Sequence, residues 1–237
     1  MPVSLPDMPK RIARLPKDER GYPVPRFVEW LKEDLGETHA ARPTDPDAKP
    51  DFRFARFDFR NAAFKHGYCW VCGEQLGVHK VYAIGPMCVV NRVTQEPACH
   101  RECAEFSVKA CPFLLRPRMR RIPLKDGDPR HTVGMMIERN PGCTCLYETN
   151  DAKAFAANGG WLIKLGKPTR VDWWCEGRAA TRAEIKDSID SGFPILLDVA
   201  MQEGQEAVDE LTRLAHDAMQ LLPVGPAPCV SPVIPRC

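Results

Sequence analysis

The chain has 237 residues, with 33 Lys and Arg against 31 Asp and Glu, for a formal net charge of +2. That balance excludes a general attraction to polyanions, so any nucleic-acid surface has to come from local clustering. At 44% hydrophobic and 27% charged it reads as a globular protein with one sizeable core or two small ones, and no apolar run approaches the ~20 residues of a membrane span.

Residues 1 to about 50 read as a flexible N-terminal arm and linker. The start, "MPVSLPDMPKRIARLPKDERGYP", has basic residues but no apolar core of a secretory signal. Pro25 to Leu35 is a short amphipathic helix candidate, with Phe27, Val28, Trp30 and Leu31 on its apolar side. "ARPTDPDAKP" has linker composition, and "DFRFARFDFRNAAFKHG" then alternates Phe with Arg or Asp. This predicts a half-buried strand or a helix leading into the next module, with the Phe series packing in a core.

Residues 51–115 form a cysteine module. Eleven cysteines in a chain without an export signal point to a reducing, cytoplasmic compartment, where paired spacings mean metal more often than disulfide. Cys69-x2-Cys72 brings two sulfurs to one ion only through a tight turn, which Gly73 permits. His100 and Cys103 lie one helical turn apart, so both can address the same ion from a helix start. Thiolate and imidazole in a closed set of four suit structural Zn2+. Cys99 is the competitor for His100, while Cys88 and Cys111 read as core thiols. Between the pairs, "HKVYAIG" and "MCVVNRV", joined at Gly85-Pro86, predict a β-hairpin.

The order of knuckle, hairpin and helix resembles the treble-clef zinc finger of LIM, FYVE and HNH-type domains, over about 50 of 237 residues. The chain is also similar to uncharacterised phage and proteobacterial proteins in its "GPMC…NR…HREC…ACPFL" and "GGWL…WW…EGR…T…E" runs. That likeness implies a bacterial host cell and carries no activity. The HNH likeness implies a nuclease in which His79, Asn91 and His100 would act in that order, a strand His activating water beside a divalent metal. A His100 that completes a structural site cannot also hold a catalytic ion. Ala104 follows Cys103 where zinc-bearing members have the catalytic His, and Val78 precedes His79 where an acidic residue is usual. A degenerate nuclease is therefore the one enzymatic reading, with His79 and Asn91 its catalytic residues.

A basic connector follows at residues 116–131, with four arginines in six residues. Arg116, Arg118, Arg120, Arg121 and Lys125 are the expected nucleic-acid contacts, arginine matching phosphate geometry. Residues 132–223 read as a ββαα module. Its strands lie in "HTVGMMIERNPGCTCLYETND" and in "GGWLIKLGKPTRVDWWCEGR". Thr181-x-x-Glu184 is a capping box, Gly192 stops that helix, and Pro194 to Gln202 forms a short buried one. A last helix spans about 205–222, with Val208, Leu211, Leu214, Ala215 and Leu222 on one face. Cys143-x-Cys145 is too closely spaced for a knuckle, although with Cys175 it is a candidate for a second metal site. Residues 224–237 have the composition of a disordered tail. The expectation is an α+β, zinc-stabilised, non-enzymatic protein whose partner is DNA or RNA. A protein-binding adaptor or inhibitor is the alternative, and no membrane is expected.

Overall fold

The computed structural model describes residues 5–34, 37–116, 140–157 and 160–224. The fold is mixed α+β with three small antiparallel sheets. In chain order, helix α1 (Lys10–Ala13) is followed by strands β1 (Val28–Asp34), β2 (Glu37–Ala41) and β3 (Lys49–Ala55), then helix α2 (Phe57–His66). Strand β4 (Val81–Ile84), helix α3 (Pro86–Asn91), strand β5 (Val93–Thr94), and helices α4 (Arg101–Ala110) and α5 (Pro112–Leu115) come next. Strands β6 (Cys143–Glu148), β7 (Ala152–Ala157), β8 (Gly160–Leu165), β9 (Arg170–Cys175) and β10 (Arg178–Ala179) precede helices α6 (Arg182–Glu203) and α7 (Gln205–Met219).

The central sheet, in the order β10-β9-β6-β4, is a partition between two cores. Every residue of β6 is buried, so its side chains alternate between two apolar environments instead of between core and water. Cys143, Cys145 and Tyr147 enter the core covered by α3, α6 and α7, together with Tyr82, Ile84 and Trp173. Leu146 and Val81 enter the other core, built with Ile12, Phe59, Trp70, Cys69, Cys103 and Phe106. The remaining sheets are β2-β1-β3 near the N-terminus and β5-β8-β7 beside the helical core.

Several expectations are overturned. The helix drawn over Pro25–Leu35 is strand β1, because β2 and β3 pair with it from both sides and satisfy its backbone. The hairpin arm "MCVVNRV" is helix α3: Gly85 is extended, Pro86 sits at the first helical position, and Met87, Val89 and Val90 are buried. The partner of β4 arrives from β6, with Tyr82 opposite Tyr147. Gly192 does not end its helix. α6 runs through both Gly192 and Pro194, since Phe193, Leu196, Leu197 and Ala200 continue its apolar face onto the helical core. The cap is as expected, with Thr181 and Glu184 bonding reciprocally. Five strands, not two, precede the last two helices: the second expected stretch divides into β8 and β9, and β7 and the short β10 are added.

The N-terminal arm is folded over residues 5–34. Ile12 is buried among the metal-side residues, and Arg11 of α1 bridges Glu74 at 2.8 Å and also pairs with Glu102. The stretches drawn as separate modules at 51–115 and 132–223 share sheets, β4 with β6 and β5 with β8. Asn140 Nδ2 also donates to the carbonyls of Phe113 and Arg116 at 2.8 and 3.0 Å, tying the stretch before β6 to the end of α5. Arg116 is exposed. Arg118, Arg120, Arg121, Lys125 and the tail from 225 onward lie outside the described residues.

Candidate metal centre

The knuckle is set by its backbone. Cys69 N–H donates to Glu74 O at 2.8 Å, and Gly73 N–H donates to Cys69 O at 2.8 Å, closing the turn that aims both sulfurs inward. Gly73 has φ +79°, and a Cβ there would sit 2.8 Å from Arg26 Cγ, so the position takes glycine for both conformation and space. The second pair comes from α4, where His100 is the N-cap and Cys103 lies in the first turn.

One donor atom from each of Cys69, Cys72, His100 and Cys103 lies within 4.8 Å of all the others, close enough to bind a metal ion. Cys72 Sγ and Cys103 Sγ are 3.4 and 3.9 Å from His100 Nδ1. A tetrahedral ion with usual zinc bond lengths sets donor–donor edges of about 3.5–3.8 Å, which those two distances straddle. His100 Nε2 donates to Gln75 O at 3.0 Å. That bond places the proton on Nε2 and leaves the Nδ1 lone pair facing the sulfurs, the outer-shell arrangement typical of metal-bound imidazole. His100 N–H in turn lies 3.4 Å from Cys69 Sγ.

Cys69 is the acidic thiol of the set. Donation from Cys103, then Cys72 and Cys99, holds it far below the usual thiol range. Donation from Cys103 lowers Cys72, but its own donation to Cys69 and burial outweigh that and push it up to about 11; Cys103 is raised by donating to Cys69 and then to Cys72. Cys99 has its thiol raised well above normal, first by donating to Cys69 and then by burial. The converging group contains His100 and not Cys99.

No second metal group of three or more such side chains converges among the described residues. Cys143 and Cys175 face each other across β6 and β9. Burial, then the neighbouring Cys175, pushes Cys143 up to about 12; these are core thiols. Of the nuclease reading, His79 and Asn91 are not brought into the metal group, while His100 is part of it. His79 is 76% exposed, with Nδ1 2.7 Å from Glu148 Oε1. Asn91 Oδ1 accepts from Val93 N–H at 2.9 Å, shaping the turn out of α3.

Sequence reasoning missed the ionic network under the metal centre. Arg101 of α4 pairs with Glu148 of β6 and, at 2.7 Å, with Asp172 of β9. The Arg101 bond first, and then His79, hold Glu148 below the usual carboxylate range despite the opposing effect of burial. Arg60 was also missed. It is 4% exposed, its guanidinium lies 4.0 Å over the Trp161 ring, and it donates to Gln95 O at 2.9 Å and to Trp161 O. Both arrangements join residues far apart in sequence, so no local pattern announces them. No family model matches the chain, and no curated protein or solved structure matches it.

Proposed function

We propose that Cys69, Cys72, His100 and Cys103 hold one structural Zn2+ and that the protein binds nucleic acid as a zinc-stabilised, non-catalytic module. The observation that carries the first part is the closed donor set. Three sulfurs and one imidazole nitrogen lie within 4.8 Å of one another, four donors being the number that a tetrahedral zinc takes, and a site filled by four protein ligands leaves no position for substrate. Three soft thiolates favour zinc over the hard cations. When bound, the ion supplies folding energy. The chain's own residues do the rest: Gln75 O orients His100, and the knuckle amides hold the sulfurs. The treble-clef reading rests on the knuckle pair and the helix pair, with β4 and α3 in place of a hairpin.

Support for nucleic acid is the arginine density at 116–121, which follows α5 directly in the sequence. Guanidinium in such density suits phosphate. The test is binding of zinc-loaded protein to labelled duplex and single-stranded DNA and RNA across a salt series. The reading requires binding that weakens steeply with salt. An absence of binding at low salt would overturn it in favour of a protein-binding adaptor.

A further inference from the structure

The sheet β5-β8-β7 turns one face to the helical core and the other to solvent. Ile163 and Leu165 are buried in that core with Ala152 packed against it, so Lys153, Phe155, Leu162 and Lys164 project from the opposite face. Lys153 and Lys164 are direct cross-strand partners, and so are Phe155 and Leu162. Like charges directly opposite each other destabilise a sheet. Neither ammonium has an ion-pair partner among the described residues. Phe155 beside them is 40% exposed.

The lysine pair also borders a groove of about 360 Å3 between the β7–β8 hairpin and α7, with Leu165 and Leu214 among its lining. Lys167, Arg92 and Arg213 line it too, against the carboxylates of Asp151 and Glu210. Arg92 and Arg213 are already engaged, with Asp217 at 2.9 Å and Glu210 at 2.8 Å. Lys153, Lys164 and Lys167 form no ion pair among the described residues, and Asp151 is the carboxylate of the groove left to face them.

We infer that this face seats a single-stranded nucleic acid, its phosphates running along Lys153, Lys164 and Lys167 while a base stacks on Phe155. This rests on the nucleic-acid reading and shifts its centre from the connector to the sheet. An anion between Lys153 and Lys164 relieves their opposition, and an exposed ring beside cations is the platform that unpaired bases use. A duplex keeps its bases stacked inside and cannot use Phe155 in this way.

The experiment is fluorescence anisotropy of labelled single-stranded and duplex oligonucleotides with the zinc-loaded full chain, wild type against K153A/K164A and against F155A. All three positions are exposed, and unchanged melting and zinc content confirm that the variants fold. Wild type should prefer the single strand. F155A should weaken binding on the order of tenfold. K153A/K164A should lower the slope of log affinity against log salt by about 1.4, from ~0.7 per phosphate contact. If wild type binds while both variants bind equally well with the wild-type slope, the inference fails and the nucleic-acid reading stands on the connector. Equal preference for duplex also overturns the inference. If wild type binds no nucleic acid, both fall.

Discussion

On one face of the central sheet, Leu146 and Val81 look onto Trp70, stacked between Phe27 and Phe59 at 4.8 and 5.7 Å, and onto the sulfurs of Cys69 and Cys103. On the other, Tyr147, Ile163, Leu165 and Ile185 meet under three helices. The second core is continuous apolar packing of the kind that stabilises by area alone. The first is assembled from short pieces, namely a four-residue helix, a knuckle and the start of α4, none of which would persist alone. Two faces of one sheet thus show two ways to hold a chain. Burial suffices where long amphipathic helices exist; where they do not, four donor side chains converge closely enough to bind a metal ion, and on the proposed reading that ion substitutes for buried area.

The comparison is broken most severely by removing a ligand. Cys69→Ser should abolish zinc binding and unfold the metal side, since structural zinc contributes on the order of 10 kcal/mol to folding in small zinc modules. Metal analysis with hydrogen exchange checks this, and protection should vanish from residues 67–110 before α6 and α7. Chelation of wild type should reproduce that pattern.

A smaller effect of different character is expected on the helical side. Ile185 is fully buried, so Ile185→Ala should cost about 2–5 kcal/mol while zinc content stays at the wild-type value. A parallel loss of zinc would mean that the two cores are not separable.

Arg60→Ala tests the seam where α2 meets β8. It removes a charged donor from two backbone carbonyls and a cation from the Trp161 face, a loss of about 1.5–3 kcal/mol by denaturant melting.

The ionic network gives a pH signature. Glu148 and Asp172 both titrate below their ordinary values in the folded protein. Arg101 acts first on Glu148. On Asp172, burial opposes the shift and bonds from Arg101 and Arg170 outweigh it. Carboxylates with depressed folded values bind more protons when unfolded, so their stabilisation is full above the ordinary range and fades as pH falls through the folded values. The stability gap between wild type and Glu148→Gln should therefore be constant near neutrality and close as pH drops below 4.5, the ordinary Glu value. His79→Ala is expected to change stability least, by under about 1 kcal/mol, because the imidazole is 76% exposed.

The convergence of Cys69, Cys72, His100 and Cys103 was legible because the Cys69-x2-Cys72 and His100-x2-Cys103 pairs are written in local spacing, a knuckle glycine and a helix start. The Thr181 cap and the amphipathic α7 were legible for the same reason. Helix α3 was not. Its "CVV" run has strand composition, and only the arrival of β6 beside β4 frees those residues to turn. Strand β1 was hidden likewise: Phe27, Val28, Trp30 and Leu31 fit a helical stripe, and pairing on both flanks decided otherwise. α6 survives Gly192 and Pro194 because its far half still covers the core, so tertiary packing overrides a local stop signal. Gln75, which orients His100, carried no signal at all, because its backbone carbonyl is the acceptor.

The most direct test of the account is substitution of Co2+ into purified protein, read by visible absorption against wild-type, Cys69→Ser and His100→Ala chains. The account predicts one ion per chain with the intense ligand-field bands of a tetrahedral thiolate site and a sulfur-to-metal charge-transfer band, with the spectrum lost in Cys69→Ser and altered in His100→Ala. Weak octahedral bands, or a wild-type spectrum indifferent to either substitution, would contradict it.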